Sequence, residues 1–145
     1  LPMIPTMPKP GNEKKLRRSN TEWREILTEE QFRIGVKEGT ERAFTPGNHN
    51  DEKRDGVYEC VGCDEAIWSS EHKFDSGTGW PSFYQPIRET AVDKKTDFKL
   101  IYPRTECHCG ICGLHLGHVF KDGPPPTGER WCINGAMLRF KVAGV

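Results

Sequence analysis

Cys60-Val61-Gly62-Cys63 and Cys109-Gly110-Ile111-Cys112 each set two thiols three residues apart. A tight turn at that spacing can present both sulfurs to one ion, and two such turns complete a tetrahedral shell of four thiolates. Glycine inside and just after these knuckles suits them, because a Cβ there would crowd the turn. The spacing therefore predicts zinc held by Cys60, Cys63, Cys109 and Cys112, with iron as the other candidate metal. Two further readings stand beside it. A pair of disulfides would need redox-active small loops or would leave the doubled spacing unexplained. A Cys2His2 shell using His115 and His118, which continue the same rhythm after Cys112, would leave Cys60 and Cys63 without a role.

Subtracting four ligands from six cysteines leaves Cys107 and Cys132. A free cysteine is commonly a small buried apolar filler. Cys132 has a different setting: Arg130 lies two residues before it and Asn134 two after, so on an extended segment all three share a face. A guanidinium beside a thiol lowers its pKa from about 8.5 toward neutrality, and an amide can hold a polar substrate oxygen. His115 and His118 are two imidazoles within four residues, in a chain with only five histidines, and they offer a proton donor near neutral pH. Gly117 between them could allow a kink that brings both rings to one pocket. Trp80-Pro81-Ser82-Phe83-Tyr84 is either core packing or an aromatic wall for a methyl or thioether group.

These residues need a frame. With 145 residues, 34% apolar and 29% charged, the chain has the composition of one small domain. Residues 1–19 hold four prolines and a basic cluster without an apolar period and read as an extended arm, leaving 20–145 as the domain. In the stretch from Thr21 to Gly39, Thr28 and Gln31 form a capping box, Phe32 and Val36 share a helical face, and Gly39 fits a helix stop. A short amphipathic helix follows from this, preceded by a turn anchored through Trp23, Ile26 and Leu27. From Gly56 on, short strand-like pieces alternate with Gly, Pro, Asp and Asn clusters: GVYEC, AIWSS, KFD, FKLIYPRTECH, LGHVF and MLRFKV. In FKLIY, Phe98, Leu100 and Tyr102 fall on one side, as in a half-buried strand. DGPPPTG at 122–128 cannot join a ladder and reads as a rigid surface loop. The body is thus mainly antiparallel β.

Charge excludes some functions. Lys+Arg and Asp+Glu both count 21, so no net positive field holds a phosphate backbone, and no nucleic-acid partner is expected. No apolar run approaches the roughly 20 residues that cross a bilayer, so no membrane partner is expected either. A cytoplasmic protein fits, or an organellar one if a leader was removed.

Taken together, GTERAFT at 39–45, RDGVYECVGC at 54–63, FDSGTGWPSFY at 74–84, CGICGLHLGHVFKDGPPPTGERWCING at 109–135 and the closing LRF resemble the methionine sulfoxide reductase B family, in that family's order and over residues 21–143. The resemblance implies two antiparallel sheets with short N-terminal helices, and a structural Zn2+ held by the four knuckle cysteines away from the active site. It implies that Cys132 attacks the sulfur of the R-epimer of methionine sulfoxide, free or protein-bound, and becomes a sulfenic acid. Trp80 would cradle the ε-methyl group. His115, His118 and Asn134 would order the polar side of the pocket, and Arg130 would help activate the thiol. Thioredoxin or another thiol would regenerate a monomeric enzyme. Many members carry a resolving cysteine just before the GWPSF motif, where this chain has Thr78; Cys107 is then the possible resolving thiol, or an external thiol acts directly. Gly135 stands where the family more often has serine. The competing function is a zinc-ribbon-like binding module with an inert Cys132, and a disulfide-rich secreted domain is a third.

Overall fold

Two capping boxes, not one, open the domain in the computed structural model, which describes residues 18–98 and 103–144. Ser19 caps helix α1 (Asn20–Ile26) and Thr28 caps α2 (Glu29–Gly35), each with its reciprocal Glu22 or Gln31. Each box satisfies two otherwise orphaned amide groups, which lets a two-turn helix stand where isolated propensity would not suffice. The segment expected as a turn around Trp23 is therefore a helix of its own. The helical stop also differs from expectation: α2 ends at Gly35 with Val36 as its cap, and the chain reverses through Glu38 at φ +62°, with the Gly39 amide reaching the Arg33 carbonyl. The expected arm at 1–19 lies outside the described residues as far as 17.

Among the described residues nine strands follow: β1 (Gly56–Cys60), β2 (Ala66–Ser69), β3 (Lys73–Phe74), β4 (Ser82–Phe83), β5 (Val92–Asp97), β6 (Arg104–Cys109), β7 (His115–Phe120), β8 (Arg130–Ile133) and β9 (Leu138–Val142). They form a three-stranded sheet, β2-β1-β9, and a six-stranded sheet, β3-β4-β8-β7-β6-β5, with antiparallel pairing throughout. The strand expected at 98–108 is seen from Arg104; positions 99–102 lie outside the described residues. DGPPPTG is a loop between β7 and β8 whose ends are tied by Gly123 N–H to the Gly128 carbonyl.

Between the sheets lies an aromatic core. Tyr58 of β1 and Trp68 of β2 meet Phe83 of β4, at ring separations of 5.3 Å and 4.8 Å, and Trp68 also meets Trp131 of β8 at 5.8 Å. All four are buried, and such rings dominate the apolar area a small domain can hide. Phe32 and Ile34 of α2 are also buried. A Cβ at Gly35 would stand 2.5 Å from Met137 and 3.0 Å from Leu114, so glycine there permits close packing of the helix on the body. No helix among the described residues is long and apolar enough to cross a membrane.

Candidate active site and metal centre

The knuckles connect the two sheets. Cys60 ends β1 and Cys109 ends β6, and Cys63 and Cys112 sit in the turns that follow. The Cys60 and Cys112 sulfurs are 3.6 Å apart, as are those of Cys63 and Cys109, and all four lie within 4.8 Å of one another. A tetrahedral ion with bonds of about 2.3 Å to sulfur requires sulfur separations near ~3.8 Å, so the four thiols fit a single ion. His115 and His118 group instead with Glu106, which removes the Cys2His2 alternative. All six cysteines are free, so the disulfide framework is absent.

The second site is built by strand parity. On β8, Arg130 and Cys132 project to one face and Asn134 follows directly after the strand. Cys132 pairs with His118 on β7 and with Ser82 on β4, and directly paired residues share a face. A cavity of about 270 Å³ opens on this face, lined by Arg130, Cys132, Asn134, His118 and Trp80, together with Thr40, Thr78, Arg104, Gly117 and Phe120. Five of the residues marked in the sequence as candidates for chemistry thus meet around one hollow. None of the four knuckle cysteines lines it.

Electrostatics at Cys132 departs from the expectation of a simply lowered thiol. Burial pushes the Cys132 pKa up, while the Arg130 charge and a hydrogen bond with the Thr78 hydroxyl pull it down and Glu41 pushes it up again. Burial wins because Arg130 is shared: its Nε and Nη2 form a fork with Asp122 at 3.0 Å and 3.2 Å, and its guanidinium lies 4.4 Å over the Phe120 ring. Thr78, at the position where a resolving cysteine was sought, contacts the Cys132 thiol.

His115 does not reach the cavity. Its ring is fully buried behind His118, edge to face at 5.4 Å, with Nδ1 3.2 Å from the Ile34 carbonyl. Burial, then the neighbouring His108 and His118, lower its pKa to about 4, so it is neutral at physiological pH. Gly117 stands where β7 shifts register against β6, the pairing passing from Cys107–Gly117 to His108–His115, and it also brings β7 close to β8: a Cβ there would lie 2.1 Å from the Cys132 carbonyl oxygen. Cys107 pairs with Gly117, one row away from the Glu106, His118 and Cys132 row, so its side chain takes the opposite face of the sheet from Cys132. It is fully buried, and burial drives its pKa well up.

Sequence reasoning gave no role to Glu41, although GTERAFT carries it. This 2% exposed carboxylate accepts the Gly135 and Ala136 amides and the Asn48 side-chain amide at 2.9–3.0 Å. Its backbone N–H donates to Asn134 Oδ1 at 2.9 Å, and its carbonyl accepts the Trp80 indole N–H at 3.1 Å. Asn134 in turn donates through Nδ2 to the Leu116 carbonyl on β7 at 2.9 Å. One glutamate thereby fixes the indole, the amide and the turn after Cys132. An acidic residue in a short loop carries no periodicity that would reveal such a hub.

A family model described as the SelR domain matches residues 27–142. The chain is 50% identical over 129 residues to the peptide methionine sulfoxide reductase MsrB of Hahella chejuensis, covering 89% of this chain and 92% of that protein. It is 50% identical over 127 residues to the protein of the same name from Pseudomonas putida, covering 88% and 95%. It is 53% identical over 124 residues to the chloroplastic peptide methionine sulfoxide reductase B1 of Oryza sativa subsp. japonica, covering 85% of this chain and 57% of the longer rice protein.

Proposed function

Because the chain belongs to the methionine sulfoxide reductase B (SelR-domain) family, we propose that it reduces the R-epimer of methionine sulfoxide with Cys132 as the nucleophile. The family membership makes it an oxidoreductase acting on methionine sulfoxide, and a binding module with an inert thiol is set aside on that ground. The observation that carries the residue assignment is the single cavity shared by Cys132, Arg130, His118, Asn134 and Trp80.

Cys132 Sγ attacks the sulfoxide sulfur, its proton passing toward the departing oxygen as the S–O bond breaks. The oxygen ends on Cys132 as a sulfenic acid, and methionine leaves with its sulfur reduced. Trp80 cradles the ε-methyl group, its indole anchored on Glu41. His118 handles protons at the polar side, backed by the neutral His115, while Asn134 orders that wall through the Glu41 and Leu116 bonds. Arg130 offsets part of the burial that opposes the thiolate. An external thiol, thioredoxin or a smaller one, attacks the sulfenic acid with loss of water, and a second thiol releases Cys132 reduced. The opposite-face burial of Cys107 and the presence of Thr78 beside Cys132 favour this route over an internal resolving cysteine. Cys60, Cys63, Cys109 and Cys112 would hold a structural zinc ion, which would supply cross-linking and no chemistry to the cavity. Six free thiols suit a reducing compartment, cytoplasmic or organellar, with the enzyme acting as a monomer on oxidised proteins or the free amino acid.

Activity on each sulfoxide epimer tests the reading. Wild type should reduce the R-epimer and not the S-epimer, with dithiothreitol or thioredoxin, and Cys132→Ser should be inactive with its zinc retained. Turnover by Cys132→Ser would defeat it.

A further inference from the structure

Antiparallel register places one row of side chains across the six-stranded sheet. Lys95 on β5 faces Glu106 on β6, Glu106 faces His118 on β7, and His118 faces Cys132 on β8. Directly opposed residues have Cβ atoms roughly 4.5–5.5 Å apart on one face. Carboxylate, imidazole and thiol therefore follow one another in line, the order in which an acid, a base and a nucleophile cooperate on unrelated folds.

Glu106 is 2% exposed, and a carboxylate is rarely placed so deep without a partner. One of its oxygens lies 2.8 Å from His108 Nε2. A carboxylate oxygen of Glu106 also lies within 4.8 Å of a ring nitrogen of both His115 and His118. Of that pair, His115 already uses Nδ1 on the Ile34 carbonyl and does not reach the cavity, whereas His118 lines it. Other charges around the row include Glu38, whose carboxylate lies within 4.8 Å of that of Glu106 and meets Lys95 at 3.6 Å, and Arg104 and Arg130 on the cavity wall.

Which nitrogen of an imidazole carries a proton is decided by what the other nitrogen meets. A carboxylate behind the ring fixes its orientation and favours the imidazolium. We propose that Glu106 is a positioning residue that holds His118 toward Cys132 and stabilises the imidazolium formed as His118 carries the thiol proton to the sulfoxide oxygen. The proton leaves Cys132 Sγ, rests on His118 and ends on the oxygen of the sulfenic acid, so no other donor is required. This rests on the nucleophile assignment above. It explains how a thiol held up by burial is activated although Arg130 is engaged with Asp122.

The test uses the full chain with zinc bound, methionine-R-sulfoxide and dithiothreitol. Glu106→Gln should lower kcat by roughly 10²-fold or more, the scale of general acid–base contributions, with KM little changed. Glu106→Asp, which keeps the charge, should recover part of the loss. A merely structural role would not alter the ring state of a folded protein, so 15N–1H correlation of His118 is the second readout. Wild type should show one fixed protonation pattern, and Glu106→Gln a mixture of tautomers. Wild-type kcat in folded Glu106→Gln would overturn the proposal. So would averaged His118 tautomers in the wild type, a measurement that stands even if the variant does not fold. Turnover by Cys132→Ser would instead strike the nucleophile assignment, independently of the His118 spectrum.

Discussion

Burial and charge act on Cys132 in opposite senses, and the balance can be shifted by one substitution. Arg130 supplies the largest of the influences that lower this thiol's pKa, and burial is the larger influence that raises it. Arg130→Met removes the cation that lies over Phe120 while keeping most of the apolar stem. With the cation gone the pKa rises further above the ordinary thiol value, the thiolate fraction at a given neutral pH falls, and the alkylation profile moves to higher pH. Iodoacetamide rates for Cys132 between pH 6 and pH 10 should show that displacement; a profile moved to lower pH would show that Arg130 does not act through its charge. At Gly135 the structure accounts for the missing serine side chain: a Cβ would sit 1.8 Å from the Asn48 carbonyl oxygen, in the turn that Glu41 holds.

At the scale of elements, the reacting residues depend on how closely β7 and β8 approach. Gly117→Ala would drive a methyl into the Cys132 carbonyl, 2.1 Å away, and the strands must part to admit it. Overpacking of this kind costs about 1–3 kcal/mol. The variant should lose several degrees in Tm and a larger share of kcat than of zinc, and a variant with wild-type Tm and kcat would refute this coupling. Much of the frame was legible because its signals are local: the knuckle spacing, the Thr28 box, the strand-like pieces between Gly, Pro, Asp and Asn clusters that contain β1, β7 and β9, and the proline loop. β5 was missed because VDKKTD is polar and becomes a strand only through its pairing with β6. α1 carries the box spacing at Ser19 and Glu22, but its seven residues bury only Trp23 and hold too few apolar positions to show a helical period. The gathering of Arg130, Cys132 and Asn134 could be read from their period of two. The row joining Glu106 to Cys132 could not, because register between distant strands is a tertiary property.

For the molecule as a whole, the four-cysteine cluster is where the two sheets meet, one knuckle from each, and an ion held there would fasten them. A structural zinc contributes roughly 10–16 kcal/mol in apparent binding, comparable with or above the roughly 5–15 kcal/mol that holds a domain folded. Chelation should therefore abolish the cooperative unfolding transition and near-ultraviolet dichroism together with activity. A zinc-free protein that keeps both spectral signatures would separate metal from fold. The central claim is that a single sulfur accepts the oxygen, and single-turnover stoichiometry without reductant tests it most directly. Mixed with excess methionine-R-sulfoxide and dimedone, each chain should release one methionine and gain one adduct, mapped to the peptide containing Cys132. Methionine release with Cys132 unlabelled, or the adduct on Cys107 or a knuckle cysteine, would contradict the account.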